Sequence, residues 1–312
     1  MKRERIMITS DRLTVEIDPL GANLTSICET AVSGEKIEYL WQGDKRYWAG
    51  QAPNLFPYIA RMTDGRYSLN GKEYEMNIHG FAKDSLFDLV CLKKTEAVFS
   101  LKDNMETYRQ YPYRFEFTVC YHLWKNRIDI TLRVKNMDEK EMYFGIGGHP
   151  GFNVPIEKGF SFEDYVLEFS DECRPKRIGF SSDCFVEGTP SVFTLEDNRR
   201  IAMSHELFDQ DAIVLTEVGK QVTLKARNGG RMVRVTYPNM DYLGIWHTPN
   251  TDAPYVCIEP WSSLPSRKGI VEDLARQPGL VRLAAKEEYV NTWSIEVDEL
   301  RNVYEDVMEC VV

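Results

Sequence analysis

The clearest pattern in the chain is strict alternation. Phe115, Phe117, Val119, Tyr121 and Leu123 are apolar at every second position, Lys125-Asn126 interrupts, and Ile128, Ile130, Leu132 and Val134 resume the pattern. Successive side chains of a strand point to opposite faces, so this period predicts a long antiparallel hairpin. Leu13, Val15 and Ile17 predict a half-buried strand, residues 21–27 a turn and a second strand, and residues 38–41 a short third. Asn70-Gly71 predicts a tight hairpin within residues 65–76. Further strands are expected near 164–169, 191–195, 212–216, 221–226, 231–236, 242–246, 254–260 and 290–297. Helical signal is sparse. Residues 204–208 could form one turn capped by Ser204, and residues 266–277 a short helix with Ile270 and Leu274 on one face and Gly279 at its end. Many strands and few helices indicate an all-β fold, a large antiparallel β-sandwich of two stacked sheets with a concave face free for a ligand.

Two stretches break the alternation and carry ionisable groups. Tyr255-Val256-Cys257-Ile258-Glu259-Pro260-Trp261 reads as a strand apolar on both faces with one carboxylate near its end. A Glu is almost never fully buried without a partner. A carboxylate held among apolar and aromatic groups has a raised pKa, which suits an acid or base; the plainer reading is a structural ion pair. Gly145-Ile146-Gly147-Gly148-His149-Pro150-Gly151-Phe152 places His149 before a proline, as Glu259 is, and a residue before proline is pushed into extended backbone. The two groups could face each other across one cleft. Cys257 shares a strand face with Tyr255 and Glu259, but no His accompanies it in sequence to make it a nucleophile. The loop from Tyr47 to Met62, rich in aromatics and proline, holds Asn54, Tyr58 and Arg61 and is a candidate binding surface.

Composition narrows the classes. The chain has 312 residues with no low-complexity linker and no detectable repeat, which favours one large domain. A net charge of −10 argues against a nucleic-acid partner. No apolar run is long enough to span a membrane, and Met1-Lys2-Arg3-Glu4-Arg5 leads into no apolar segment of the kind a signal peptide needs. Seven scattered cysteines (28, 91, 120, 173, 184, 257 and 310) without a CxxC pair fit reduced thiols in a cytoplasmic protein.

Five segments, taken together and in order, resemble the aldose 1-epimerase (galactose mutarotase) family, in its LacX-like branch. They are Asn54-Leu55-Phe56-Pro57-Tyr58-Ile59-Ala60-Arg61, the hairpin through Asn70-Gly71-Lys72-Glu73-Tyr74, His79-Gly80-Phe81, Gly148-His149-Pro150-Gly151-Phe152 and Ile258-Glu259-Pro260-Trp261. The resemblance implies a supersandwich whose concave face binds a sugar. It implies that Glu259 is the base for the C1 hydroxyl and that His149 donates a proton to the ring oxygen. His79 and Arg61 would bind and polarise the sugar, and Asp211, or else Asp209, would bind hydroxyls. Ala60 departs from the pattern, since better-known members have Asn before the Arg. His247 has no counterpart in the pattern; it could reach the cleft or sit on a partly exposed loop.

Anomer interconversion needs one group to take the C1–OH proton and another to protonate the ring oxygen, with the roles reversed on closure. No metal, phosphate donor or redox cofactor is required. A metal site built from His79, His149, His247 and Glu259 draws on ligands far apart in sequence. The expected partner is a free aldose, with the protein a monomer or homodimer. Two rivals stand beside that reading. One is a hexose 6-phosphate epimerase, which needs cations such as Lys83, Arg231, Arg234, Arg267 and Lys268 to converge near His79. The other is a non-catalytic sugar-binding module, for which a buried acid/base pair has no use.

Overall fold

The computed structural model describes residues 4–31 and 34–300; Met1 to Arg3 and Cys310, which enter the leader and cysteine readings, lie outside it. The alternation at 115–134 becomes the hairpin Phe115–Trp124 and Arg127–Asn136, paired from Phe115 opposite Asn136 to Trp124 opposite Arg127. Its apolar residues are buried, and the polar residues between them are largely half-buried or exposed. This hairpin lies inside a nine-stranded antiparallel sheet. In spatial order its strands are Arg200–Ala202, Tyr165–Phe169, Gln221–Ala226, Gly230–Thr236, Glu288–Leu300, Arg127–Asn136, Phe115–Trp124, Glu96–Lys102 and Asp88–Lys93.

A second antiparallel sheet carries the apolar strand Tyr255–Trp261, buried along its whole length. Tyr242–Trp246 pairs with one edge of it, and Gly147–Gly148 and Gly151–Asn153 with the other. The two large sheets share one continuous apolar cluster that includes Phe117, Ile130 and Ile295 from the first and Ile245, Val256 and Ile258 from the second. The smaller hairpin forms as Arg66–Leu69 and Lys72–Glu75 around Asn70-Gly71, both at positive φ as a type I′ turn requires. No helix among the described residues is long and apolar enough to cross a membrane.

The differences from expectation have local causes. Residues 266–277 do not form a helix. Gly269 sits at φ +70°, and Ser68 N–H donates to Glu272 O while Leu274 N–H donates to Ser68 O. At its centre the segment's backbone bonds the strand Arg66–Leu69, which leaves only isolated turns at Arg267–Ile270 and Asp273–Gln277. The buried Glu272 carboxylate takes Arg267 N–H and its guanidinium, which closes the turn. Residues 205–208 form a short 3-10 turn that Ser204 does not cap. The strand expected at 191–195 is only Ser191–Val192, and that expected at 38–41 is Lys36–Glu38. The α-helix at Met105–Gln110 was not anticipated. Its signal is Asn104-x-x-Thr107, a capping box in which Asn104 Oδ1 accepts from Glu106 and Thr107 N–H and Thr107 Oγ1 accepts from Asn104 N–H.

Candidate active site

Strand register brings His149 to Glu259. Gly147 pairs with Trp261 and Gly151 with Cys257 across the same two chain segments. Position 149 therefore falls opposite position 259. Between those pairs Ile258 N–H still donates to Pro150 O across the two segments, while His149 N–H turns away to Pro53 O. Residues directly opposite each other in an antiparallel pair project to the same side, and His149 Nε2 lies 3.2 Å from Glu259 Oε2. Glycines make the room. A Cβ at Gly148 would lie 2.4 Å from the Trp293 ring, and one at Gly244, the residue paired with Glu259 on its other side, would lie 3.1 Å from Glu259 Cβ.

Both groups are almost entirely out of water, His149 at 8 % exposure and Glu259 at 2 %. Burial pushes the Glu259 carboxyl well above the ordinary carboxylate range, against the opposing effect of the nearby Trp261 N–H and with the Asp211 charge adding to it. Burial also lowers His149 to about 4. The two shifts run in the same sense: both disfavour the charged forms, so burial works against a carboxylate–imidazolium pair. His149 Nδ1, Glu259 Oε2 and Trp261 Nε1 are buried and have no hydrogen-bond partner within the protein. Polar atoms in a folded interior are nearly always paired, so three such atoms gathered at one place mark where a ligand's polar groups belong.

These atoms face a cleft of about 650 Å³ whose lining includes His79, His149, Arg61, Asp211 and Glu259. All five residues singled out from the sequence are thus on one surface. Trp48 stacks on the His149 ring at 4.9 Å between centroids, and Trp246 meets its edge at 5.8 Å. His79 is locked by its backbone: at φ +64°, its N–H donates to Ala60 O, and its Nδ1 accepts from Ala60 N–H at 3.1 Å. That bond fixes the neutral tautomer with the proton on Nε2. Burial, with nearby His149, Lys83 and Arg61, holds the ring well below its ordinary pKa, so it stays neutral and donates. Its ring meets the His149 edge at 5.3 Å. Asp211 lines the cleft with one oxygen taking Cys184 Sγ–H at 2.9 Å and the other Ala212 N–H. Asp209 is exposed and does not line it.

His247 does neither thing considered for it. It is fully buried behind the sheet against Phe162 and Phe208. Its Nδ1 lies 2.7 Å from Thr248 O and must donate there, so its Nε2 accepts from His205 Nδ1 at 3.1 Å. The cations that a phosphate reading needs do not converge. Arg231 is buried on Glu29 and Tyr39, Arg234 pairs with Glu296, Arg267 with Glu272 and Lys268 with Glu187. Lys83 alone of those five lines the cleft, together with Arg61, and it is ion-paired to Asp84. Six free cysteines are described, and Cys257 lies behind Glu259 on the same strand face.

An antiparallel sandwich whose cleft holds a buried carboxylate beside an imidazole is the architecture expected of the mutarotase class, and the comparisons with known proteins agree with that class. The aldose 1-epimerase family model matches residues 4–291, and the chain belongs to that family. It is 35 % identical over 269 residues to the plasmid-encoded protein LacX of Lactococcus lactis subsp. lactis, covering 83 % of this chain and 88 % of that one. Among solved structures, a galactose mutarotase related enzyme from Lactobacillus acidophilus is 31 % identical with a TM-score of 0.87, covering 96 % of this chain and all of that one. A galactose mutarotase-like protein from Lactobacillus casei is 28 % identical with a TM-score of 0.88, covering 95 % of this chain and all of that one. The activity is accordingly that of an aldose 1-epimerase, an isomerase acting on a sugar.

Proposed function

We propose that the substrate is a free aldose and that Glu259 and His149 are its base and acid. Glu259 as carboxylate removes the O1 proton. The C1=O bond forms as the C1–O5 bond breaks, and His149 Nε2–H protonates O5. Rotation about C1–C2 presents the other face of the aldehyde, and the same two groups close the ring with roles exchanged. The reactive state needs the carboxylate and the protonated imidazole side by side, and the two groups are 3.2 Å apart. Sugar hydroxyls reaching Glu259 Oε2 and the Trp261 N–H favour the carboxylate form, because hydrogen bonds to the charged form lower a carboxyl pKa. His79 Nε2–H and Arg61 hold and polarise the sugar, and Asp211 takes hydroxyl protons.

The observation that carries this reading is the buried His149–Glu259 pair at the cleft floor with its unpartnered polar atoms. The test is optical rotation of freshly dissolved α-glucose and α-galactose. Glu259→Gln keeps shape and loses basicity, so turnover should fall by about 10²- to 10⁴-fold while sugar binding stays measurable. Turnover at the parent rate would remove Glu259 from the base role. A second reading, a hexose 6-phosphate as substrate, has in its favour that Arg61 and Lys83 both lie close enough to His79 to lower its pKa. The same assay with the phosphorylated hexose decides between them.

A further inference from the structure

The acid/base pair has a third neighbour that mutarotation does not use. Residues 257 and 259 lie on one face of the strand Tyr255–Trp261, since side chains alternate. His149 comes in across the ladder from Glu259. Cys257 Sγ, a His149 ring nitrogen and a Glu259 carboxylate oxygen consequently lie within 4.8 Å of one another, all three residues buried. Among the described residues no other group of three His, Cys, Asp or Glu side chains comes together in this way. The carboxylate oxygen nearest the imidazole has no hydrogen-bond partner, so a cation there displaces no existing bond. Trp48, stacked on the His149 ring, holds the imidazole in place.

We propose that His149, Cys257 and Glu259 form a binding site for a thiophilic divalent cation, Zn²⁺ in the first instance, which competes with the sugar and shuts the enzyme off. A thiolate, an imidazole and a carboxylate are a donor set for zinc, cobalt and copper; magnesium and calcium prefer oxygen alone. Three protein ligands leave a fourth position on the side of the cleft, the arrangement of open zinc sites. Binding needs the thiol and the carboxyl in their deprotonated forms, while the imidazole offers a lone pair. Occupancy therefore increases as pH rises. Bound metal holds the lone pairs that the base needs, so sugar cannot be deprotonated. Cys257, a buried thiol among Trp41, Tyr255 and Trp48, is inert in the metal-free protein.

The inhibition rests on the acid/base reading above, whereas the binding does not, and the experiment separates them. Metal-free protein is titrated with Co²⁺ and followed by absorption. One equivalent should produce a thiolate-to-cobalt charge-transfer band, and Zn²⁺ should abolish it. Cys257→Ala should lose the band, as should Cys257→Ser, which keeps the volume if the smaller residue compromises folding. In the optical-rotation assay, Zn²⁺ should inhibit the parent in proportion to occupancy, EDTA should restore it, and Cys257→Ala should need at least tenfold more Zn²⁺. A parent protein that shows no thiolate–cobalt band overturns the proposal, as does equal Zn²⁺ sensitivity in parent and Cys257→Ala. A cobalt band that depends on Cys257, in a protein that turns over no aldose, upholds the metal site and refutes the functional reading instead.

Discussion

His79 shows how much of this site is set by single residues. Its left-handed backbone and the Ala60 N–H bond to Nδ1 leave one free donor, Nε2–H, on a ring kept neutral by burial. Asn tolerates positive φ and can accept the Ala60 bond through Oδ1, but has nothing at the Nε2 position. His79→Asn should therefore fold like the parent and lose about ten- to hundredfold in kcat/KM, the cost of one hydrogen bond to a partly charged group. Equal kcat/KM for parent and variant, measured by optical rotation, would deny His79 a part in binding. The role of Cys257 was hidden in the sequence for a related reason. Its alternation with Glu259 was visible, but the His beside it is more than a hundred residues away and arrives only through register. His247 was misplaced because its surroundings, Phe162, Phe208 and His205, come from other segments.

At the scale of elements, legibility follows how local the cause is. The long hairpin was legible because its pattern and its turn are in one stretch. Residues 266–277 were not, because a helix-like spacing says nothing of the strand Arg66–Leu69 that takes the segment's hydrogen bonds. The helix at Met105–Gln110 did have a local signal in Asn104 and Thr107, outweighed by its brevity. The strand Tyr242–Trp246 bears on function through one glycine. Gly244 faces Glu259, and a Cβ there would crowd Glu259 Cβ at 3.1 Å and the Trp261 ring at 3.2 Å. Both neighbours must give by a few tenths of an ångström. Gly244→Ala should cost about 1 kcal/mol in denaturant unfolding, near the low end for overpacking, yet reduce kcat about tenfold, since small misplacements of reacting groups are expensive. Activity lost only in step with stability would mean that the glycine serves packing alone.

At the scale of the whole molecule, the fold buries two histidines, His149 and His247, and this makes the protein sensitive to acid. His247 is lowered to about 4, first by burial, with His205 adding to the effect and Asp209 and the Thr248 carbonyl opposing it. Glu163 lies 4.0 Å from His205, and Glu206 and Asp252 also feel the His205 charge. In the unfolded chain a histidine takes up its proton near pH 6.5, but in the folded chain His247 does so only near 4. Between those values the unfolded state binds more protons, so stability falls as pH drops through this window and is fully present above it. At about 1.36 kcal/mol per unit, the site costs roughly 2–4 kcal/mol on going from pH 7 to pH 4. His149, lowered to about 4, adds a similar dependence, which the raised Glu259 carboxyl, taking its proton more readily in the folded chain, opposes. Glu29 and Glu272, held below their ordinary range despite the opposing effect of burial, by hydrogen bonds and ion pairs to Arg12, Arg231 and Arg267, lose their contribution lower still. His247→Asn keeps a donor for Thr248 O and removes the titration. Whatever it costs at pH 7, urea unfolding of the variant should show a shallower fall in stability between pH 6.5 and 4 than the parent, by about the amount above. Parallel curves for the two proteins would mean that His247 takes up its proton in the folded state as readily as in the unfolded one, and that the acid sensitivity resides in other groups.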